Sequence, residues 1–253
     1  MEVKRIVIYS LTVIIILLTG YVMSDYFIDS SQTTFEAQKK GAPATDKVWT
    51  LQEYEMFFHY LSVLPEDIDY PVLSSGKSGK LFQSFINSLD DVLYAPLKEE
   101  LLFMQTIKLK LVCQKILKLY IDKDIKVQKY KDEVAYLYGI QIQILSQMQE
   151  IAERSVRTLQ KENENRQLQM KGLELMKQGA TVQISVILDL LSEQGAFKDN
   201  ETLLLYFKQY VPELLHFFDQ QRKDIIKQRI VDVSKNADLS STKNILNDIA
   251  SGL

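Results

Sequence analysis

Residues 127–151 read VQKYKDEVAYLYGIQIQILSQMQEI, and apolar side chains recur along them at alternating steps of three and four. This spacing places the apolar side chains on one side of an α-helix and is typical of coiled-coil packing. The residues at these steps, called the seam below, are Val127, Tyr130, Val134, Leu137, Ile144, Met148 and Ile151, with Gln141 holding the step after Leu137. The seam predicts a long helix that begins near Asp124 and binds another helix.

The pattern stops at residues 160–167, QKENENRQ, which contain no apolar side chain. Either the helix projects into solvent there or the chain reverses into a hairpin whose second arm runs from Leu168 to about Glu193. We expect a hairpin or a long kinked coiled coil over about 124–193. The β-branched cluster Thr181–Leu188 also allows a local strand.

The rest of the chain also favours helices. Only 9 glycines and 5 prolines occur in 253 residues, and Leu, Ile, Lys, Gln and Glu, which favour helices, are abundant. Thr50 and Glu53 form a capping-box pattern at the start of a helix. Cys113 is the only cysteine, so no intrachain disulfide can form, and its apolar neighbours predict that it is buried. The predicted fold class is all-α.

A second stretch determines where this helical chain resides. Ile6–Met23 reads IVIYSLTVIIILLTGYVM, eighteen residues without a charge, and a helix of that length spans roughly 27 Å, about the thickness of a bilayer core. Lys4 and Arg5 precede it, and acidic residues follow it. Because positive charge stays on the cytoplasmic side, we expect a cytoplasmic N-terminus and an extracytoplasmic main domain.

The predicted organisation is a cytoplasmic tail (1–5), a transmembrane signal-anchor (6–23), a linker (24–45) and a helical, partly coiled-coil domain (46–253). The localisation is the cell membrane, single-pass, with the main domain in the periplasm if the source is a Gram-negative bacterium. Two alternatives remain open: cleavage of a secretory signal near Ser24, or burial of the apolar segment in a soluble fold.

Patterns that would indicate catalysis are weak in this sequence. Gly76–Lys80 resembles part of a phosphate-binding loop, but Pro71 stands where the first glycine is required. His59 and His216 are the only histidines, and neither has a partner at metal-ligand spacing. No nucleophile motif occurs. We therefore predict no catalytic, cofactor-binding or metal-binding residue.

The charge pattern bears on the partner. A net charge of −3 and a pI near 5.6 argue against a nucleic-acid-binding role, because such proteins usually carry a basic stripe. A lysine-rich interval from Lys108 to Lys131 could contact anionic lipid or an acidic partner. Acidic residues interrupt it, so we expect the solvated face of two helices.

Together these features predict a non-catalytic, membrane-anchored helical protein that acts by protein–protein interaction, as a scaffold or envelope-complex component. The seam would bind a second copy or another protein. One alternative is a secreted or anchored enzyme whose site is assembled from dispersed histidines and carboxylates. Another is a soluble secreted helical binding protein released near Ser24. An exposed apolar stripe along 127–151 would favour the first, and a cleft enclosing a histidine with carboxylates would favour the second.

Overall fold

The structure is a computed structural model, and it describes residues 50–73, 99–127, 129–158, 163–192 and 195–253. These residues form seven α-helices and no strand, so the all-α prediction is confirmed for them. The helices are α1 (Leu51–Ser62), α2 (Glu99–Val127), α3 (Lys131–Thr158), α4 (Asn163–Leu191), α5 (Glu201–Leu215), α6 (Gln220–Asn236) and α7 (Ser240–Ser251).

The predicted tail, anchor and linker, and the Gly76–Lys80 turn, lie outside the described residues. Within the described part of the chain, no helix has both the length and the apolar character needed to cross a membrane.

The described residues belong to two compact units. The N-terminal unit comprises the described residues up to Leu145 together with 200–207. The C-terminal unit comprises the described parts of 146–199 and of 208–253. Each unit is described on its own below.

The start of α1 follows the local signal in the sequence. The Glu53 carboxylate accepts a hydrogen bond from the Thr50 backbone N–H at 2.7 Å, and the Glu53 backbone N–H donates to Thr50 Oγ1 at 3.4 Å. This reciprocal pair is the predicted capping box, and it satisfies two N–H groups that have no partner inside the helix. In the N-terminal unit α1 packs against α2 through Tyr54, Phe57 and Leu61, which are all buried.

Three tyrosines hold the segment 65–73 against the end of α2. The Tyr120 hydroxyl donates to the Pro71 carbonyl at 2.6 Å, and the Tyr130 hydroxyl accepts from the Tyr70 N–H at 2.7 Å. The three rings of Tyr70, Tyr120 and Tyr130 meet at centroid distances of 5.2–6.0 Å. Buried Lys123 adds a charge-assisted hydrogen bond at 2.5 Å to the Glu66 carbonyl. Segment 65–73 is thus fixed by side chains rather than by its own secondary structure.

The prediction that the seam helix begins near Asp124 was wrong. Residues 121–127 contain neither glycine nor proline, and they continue α2 to Val127. The Tyr130 backbone N–H donates to the Asp124 carboxylate, which holds the turn between the helices. Consequently α3 begins at Lys131, and the first two seam residues precede it.

The suggestion of a strand at Thr181–Leu188 was also wrong, because these residues lie within α4. Ile184, Ile187 and Leu188 are buried, and their spacing of three and four matches one helical face, so packing outweighs β propensity. In the middle of α4, Lys177 pairs with Glu153 of α3 at 3.0 Å. This contact fits the hairpin alternative.

The C-terminal unit contains a three-helix arrangement in which α6 packs against both α4 and α7. Its apolar contacts include Ile226 and Ile230 of α6 and Leu246 of α7, all buried. Asp199, whose φ is +56°, accepts from the backbone N–H groups of Asp238 and Leu239 just before α7. A distant aspartate therefore fixes the two residues that lead into α7, whose N-cap residue Leu239 makes no side-chain capping hydrogen bond.

Candidate protein-interaction surface

The seam lies in the interior of the protein. Its residues from Tyr130 to Ile151 are at most 4% exposed, and the side chain of Val127 lies outside the described set. The stripe that the sequence predicted as an interaction site is therefore not an exposed apolar surface. Partner binding at the seam stays a prediction, and it would require these side chains to be uncovered first.

Burial of α3 extends beyond the seam to its polar residues. Between Glu133 and Gln149 every side chain is buried except that of Tyr138, which is half-buried. Among the described residues, neither amide atom of Gln141 has a hydrogen-bond partner, and Oε1 of Gln143 and of Gln149 also lacks one. An unsatisfied buried polar group costs about 1–3 kcal/mol. The seam pattern placed Gln141 at a core step, but it did not predict burial of the polar residues outside the seam.

The two histidines lie in contrasting environments. His59 of α1 is 6% exposed, whereas His216, just beyond α5, is exposed. Within the part of the chain that the structure describes, no group of three or more His, Cys, Asp or Glu side chains is arranged to hold a metal ion. Neither histidine is therefore placed in a metal-binding cluster there.

Some lysines of the lysine-rich interval are exposed to solvent, as predicted. Lys108, Lys118 and Lys129 are exposed. Lys123 differs, because it is buried and its ammonium group contacts the face of the Tyr70 ring at 5.1 Å as well as the Glu66 carbonyl. The Lys123 ammonium group thus holds segment 65–73 against α2 and is not a surface charge.

An exposed apolar surface is found on α4 and α6, in the C-terminal unit. Val182 and Val186 of α4 are 63% and 39% exposed, and Ile225 of α6 is 53% exposed. The two valines are four residues apart, which places them on the same helical face. We call these three residues the α4/α6 strip.

Two ion pairs join α4 and α6 near the strip. Arg222 of α6 pairs with Glu174 of α4, and seven residues later Arg229 pairs with Asp189 at 2.6 Å. Because residue numbers rise together along both helices, α4 and α6 run parallel in this region. Val182, Val186 and Ile225 all lie between the two ion pairs, which therefore bound the strip at its ends.

The charges around the strip are of both signs. Asp189 pairs with Arg229, and Asp232 pairs with exposed Lys235 at 3.1 Å. The exposed uncharged polar residues of 172–192 and 220–234 are Gln178, Gln220, Gln221 and Gln228. The strip is thus an aliphatic surface with a polar rim of amides and paired charges, a composition that complements apolar side chains flanked by polar ones.

Sequence reasoning missed this strip. The periodicity of residues 213–236 predicts one amphipathic helix whose apolar side includes both Ile225 and Ile226, but α5 ends at Leu215 and α6 begins at Gln220 with Asp219 as its N-cap. Of the two neighbouring isoleucines, only Ile226 is buried. Asp219, a strong N-cap residue, was the signal that could have located this boundary.

No known protein family, curated protein sequence or solved structure matches the chain.

Proposed function

We propose that this protein is a single-pass membrane protein that acts, without catalysis, by binding a helix of another protein along the α4/α6 strip. The observation that carries the proposal is the exposure of Val182, Val186 and Ile225 between two interhelical ion pairs. Exposed aliphatic side chains on a fixed two-helix scaffold can be buried by a partner with little loss of conformational entropy.

The partner has a defined chemistry. Because the strip is aliphatic and its rim carries amides and charges of both signs, the complementary surface is an amphipathic helix whose aliphatic residues are flanked by polar ones. Such a helix would place its apolar side chains on the strip and its polar side chains on the rim.

The uncharged run Ile6–Met23 supports the membrane anchor, and Lys4 and Arg5 before it support a cytoplasmic N-terminus. The helical part would then lie on the extracytoplasmic side, which is the periplasm in a Gram-negative bacterium. An anchor raises the local concentration of the strip near partners in the same membrane. A small interface can then be sufficient for association.

The anchor is tested by the mass and the membrane partitioning of the protein in its native host. We expect the full-length chain to remain with the membrane after high-salt and alkaline carbonate washes, because about eighteen apolar residues inserted in a bilayer are not extracted by either. A chain that begins near Asp25 and occurs in the soluble fraction would contradict the anchor and would favour the secreted alternative.

The strip is tested by photo-crosslinking in the full-length protein. A photoreactive amino acid is placed at Gln178 or at Gln228, both of which lie on the rim, and Val182→Asp and Ile225→Asp are added singly. We expect one common cross-linked helix at both rim positions, with aliphatic residues on one face. Each substitution is expected to weaken association about tenfold or more, since burying a valine or isoleucine contributes about 1.5–3 kcal/mol and 1.4 kcal/mol is a factor of ten.

Ile125→Asp is the matched control, because Ile125 is 73% exposed and lies on α2, in the N-terminal unit. It should leave the cross-links unchanged. Different products at the two rim positions, or products that are equally insensitive to all three substitutions, would overturn the proposed interaction surface.

A further inference from the structure

His59 is a buried titratable group that neither the anchor nor the strip employs. It lies on α1 in the N-terminal unit and is 6% exposed, and its Nε2 has no hydrogen-bond partner among the described residues. A neutral imidazole can occupy this position with one ring nitrogen that makes no hydrogen bond. An imidazolium would need an acceptor for a second N–H group and would also lose its hydration.

The charged groups around His59 come from both helices of this contact. Lys115 of α2 lies with its ammonium group 5.4 Å above the centroid of the Phe58 ring, and that ring is 5.2 Å from the His59 ring. Glu55 lies one turn earlier on α1. Burial first, and then the positive charge of Lys115, lower the pKa of His59, and Glu55 opposes them with the smallest contribution.

We propose that His59 makes the packing of α1 against α2 sensitive to pH, so that protonation of the imidazole favours release of α1 from α2. The direction follows from linkage. A histidine with a lowered pKa in the folded state binds its proton more readily when α1 is released. The stabilising contribution of neutral His59 is therefore fully present above the ordinary histidine pKa, near 6.5, and is lost as the pH falls below it.

Cys113 provides a native reporter for this release. It is the only cysteine of the chain and is fully buried on α2. It lies close enough to Tyr54 of α1 to contribute, after burial, to raising the pKa of that tyrosine. Release of α1 from α2 would therefore expose the Cys113 thiol to an added reagent.

The experiment measures the reaction of Cys113 with 4,4′-dithiodipyridine in the full-length protein between pH 7.5 and 5. Each rate is divided by the rate for the urea-unfolded chain at the same pH, which removes the intrinsic pH dependence of the thiol. The protection of Cys113 in the wild type should fall by up to about 30-fold between pH 7.5 and 5. This limit applies if the His59 imidazole has a pKa near 6.5 when α1 is released and stays neutral at pH 5 when α1 is packed.

His59→Gln should remove most of this pH dependence, because glutamine does not titrate. His216→Gln is the matched control, since His216 is the other histidine of the chain and is exposed, and it should behave as the wild type. Lys115→Gln should reduce the dependence without abolishing it, and it serves as the test variant if His59→Gln does not fold. Protection that does not change with pH in the wild type, or a decrease that persists in His59→Gln, would overturn the proposal.

Discussion

Replacing Leu137 or Ile144 with alanine is expected to lower the free energy of unfolding by about 2–5 kcal/mol, the usual cost of removing a fully buried aliphatic side chain. Both residues are 0% exposed, and both belong to the seam. The loss is measured by urea denaturation of the full-length protein in detergent, monitored by circular dichroism. Val182→Ala and Val186→Ala are the controls, because both valines are exposed, and they should change stability by no more than about 0.5 kcal/mol.

The same measurement distinguishes an internal seam from a seam shared between chains. If the seam joined two copies, the midpoint of unfolding would rise with protein concentration, because association stabilises the folded state by mass action. We expect the midpoint to be independent of protein concentration. A concentration-dependent midpoint that disappears in Leu137→Ala would contradict the internal position of the seam and restore it as an interaction site.

Gly139→Ala is expected to destabilise the protein by about 1–3 kcal/mol through overpacking. Helix propensity alone predicts the opposite, since alanine is favoured over glycine by about 1 kcal/mol inside a helix. An added Cβ at residue 139 would lie 2.5 Å from Cγ and Cδ2 of Tyr206 and 2.9 Å from its Cβ. Because the Tyr206 Cβ is fixed to the backbone of α5, rotation of the ring cannot relieve the overlap.

The test is a double-mutant cycle of Gly139→Ala and Tyr206→Ala, with stability measured by urea denaturation. Removing the ring deletes two of the three close contacts, so Gly139→Ala should cost less in the Tyr206→Ala background. Gly252→Ala is the control, because its added Cβ would meet its nearest atoms at ordinary distances of 3.6 and 3.7 Å. A stabilising Gly139→Ala would show that propensity, not packing against Tyr206, determines the residue at this position.

The sequence located helix starts that are fixed by capping hydrogen bonds between residues close in sequence. The Thr50–Glu53 capping box lies where the spacing predicted it. Asn200, directly before α5, likewise accepts from the Leu203 N–H three residues later at 2.9 Å. Capping joins residues about three apart, so its pattern can be recognised without knowledge of the tertiary structure.

Contacts between distant residues determined the features that the sequence pattern did not predict. Periodicity indicated which face of the 134–151 helix is apolar, but not that its polar face would also be buried, as Gln143 and Gln147 are. Nor did it indicate that Asp199, about forty residues earlier, would bind the two backbone N–H groups just before α7. Such outcomes depend on which helices meet, and that choice is made by the sum of many long-range packing contacts.

The sequence by itself determined that the described part of this chain is helical, and it supplied the apolar run on which the proposed anchor rests. Helix formation depends on contacts within a few residues, which composition and spacing express directly. Only the tertiary structure decided that the seam lies inside, that His59 of α1 is buried, and that Val182, Val186 and Ile225 lie at the surface. Burial is a property of the assembled helices, and the same apolar periodicity can face a core or a partner.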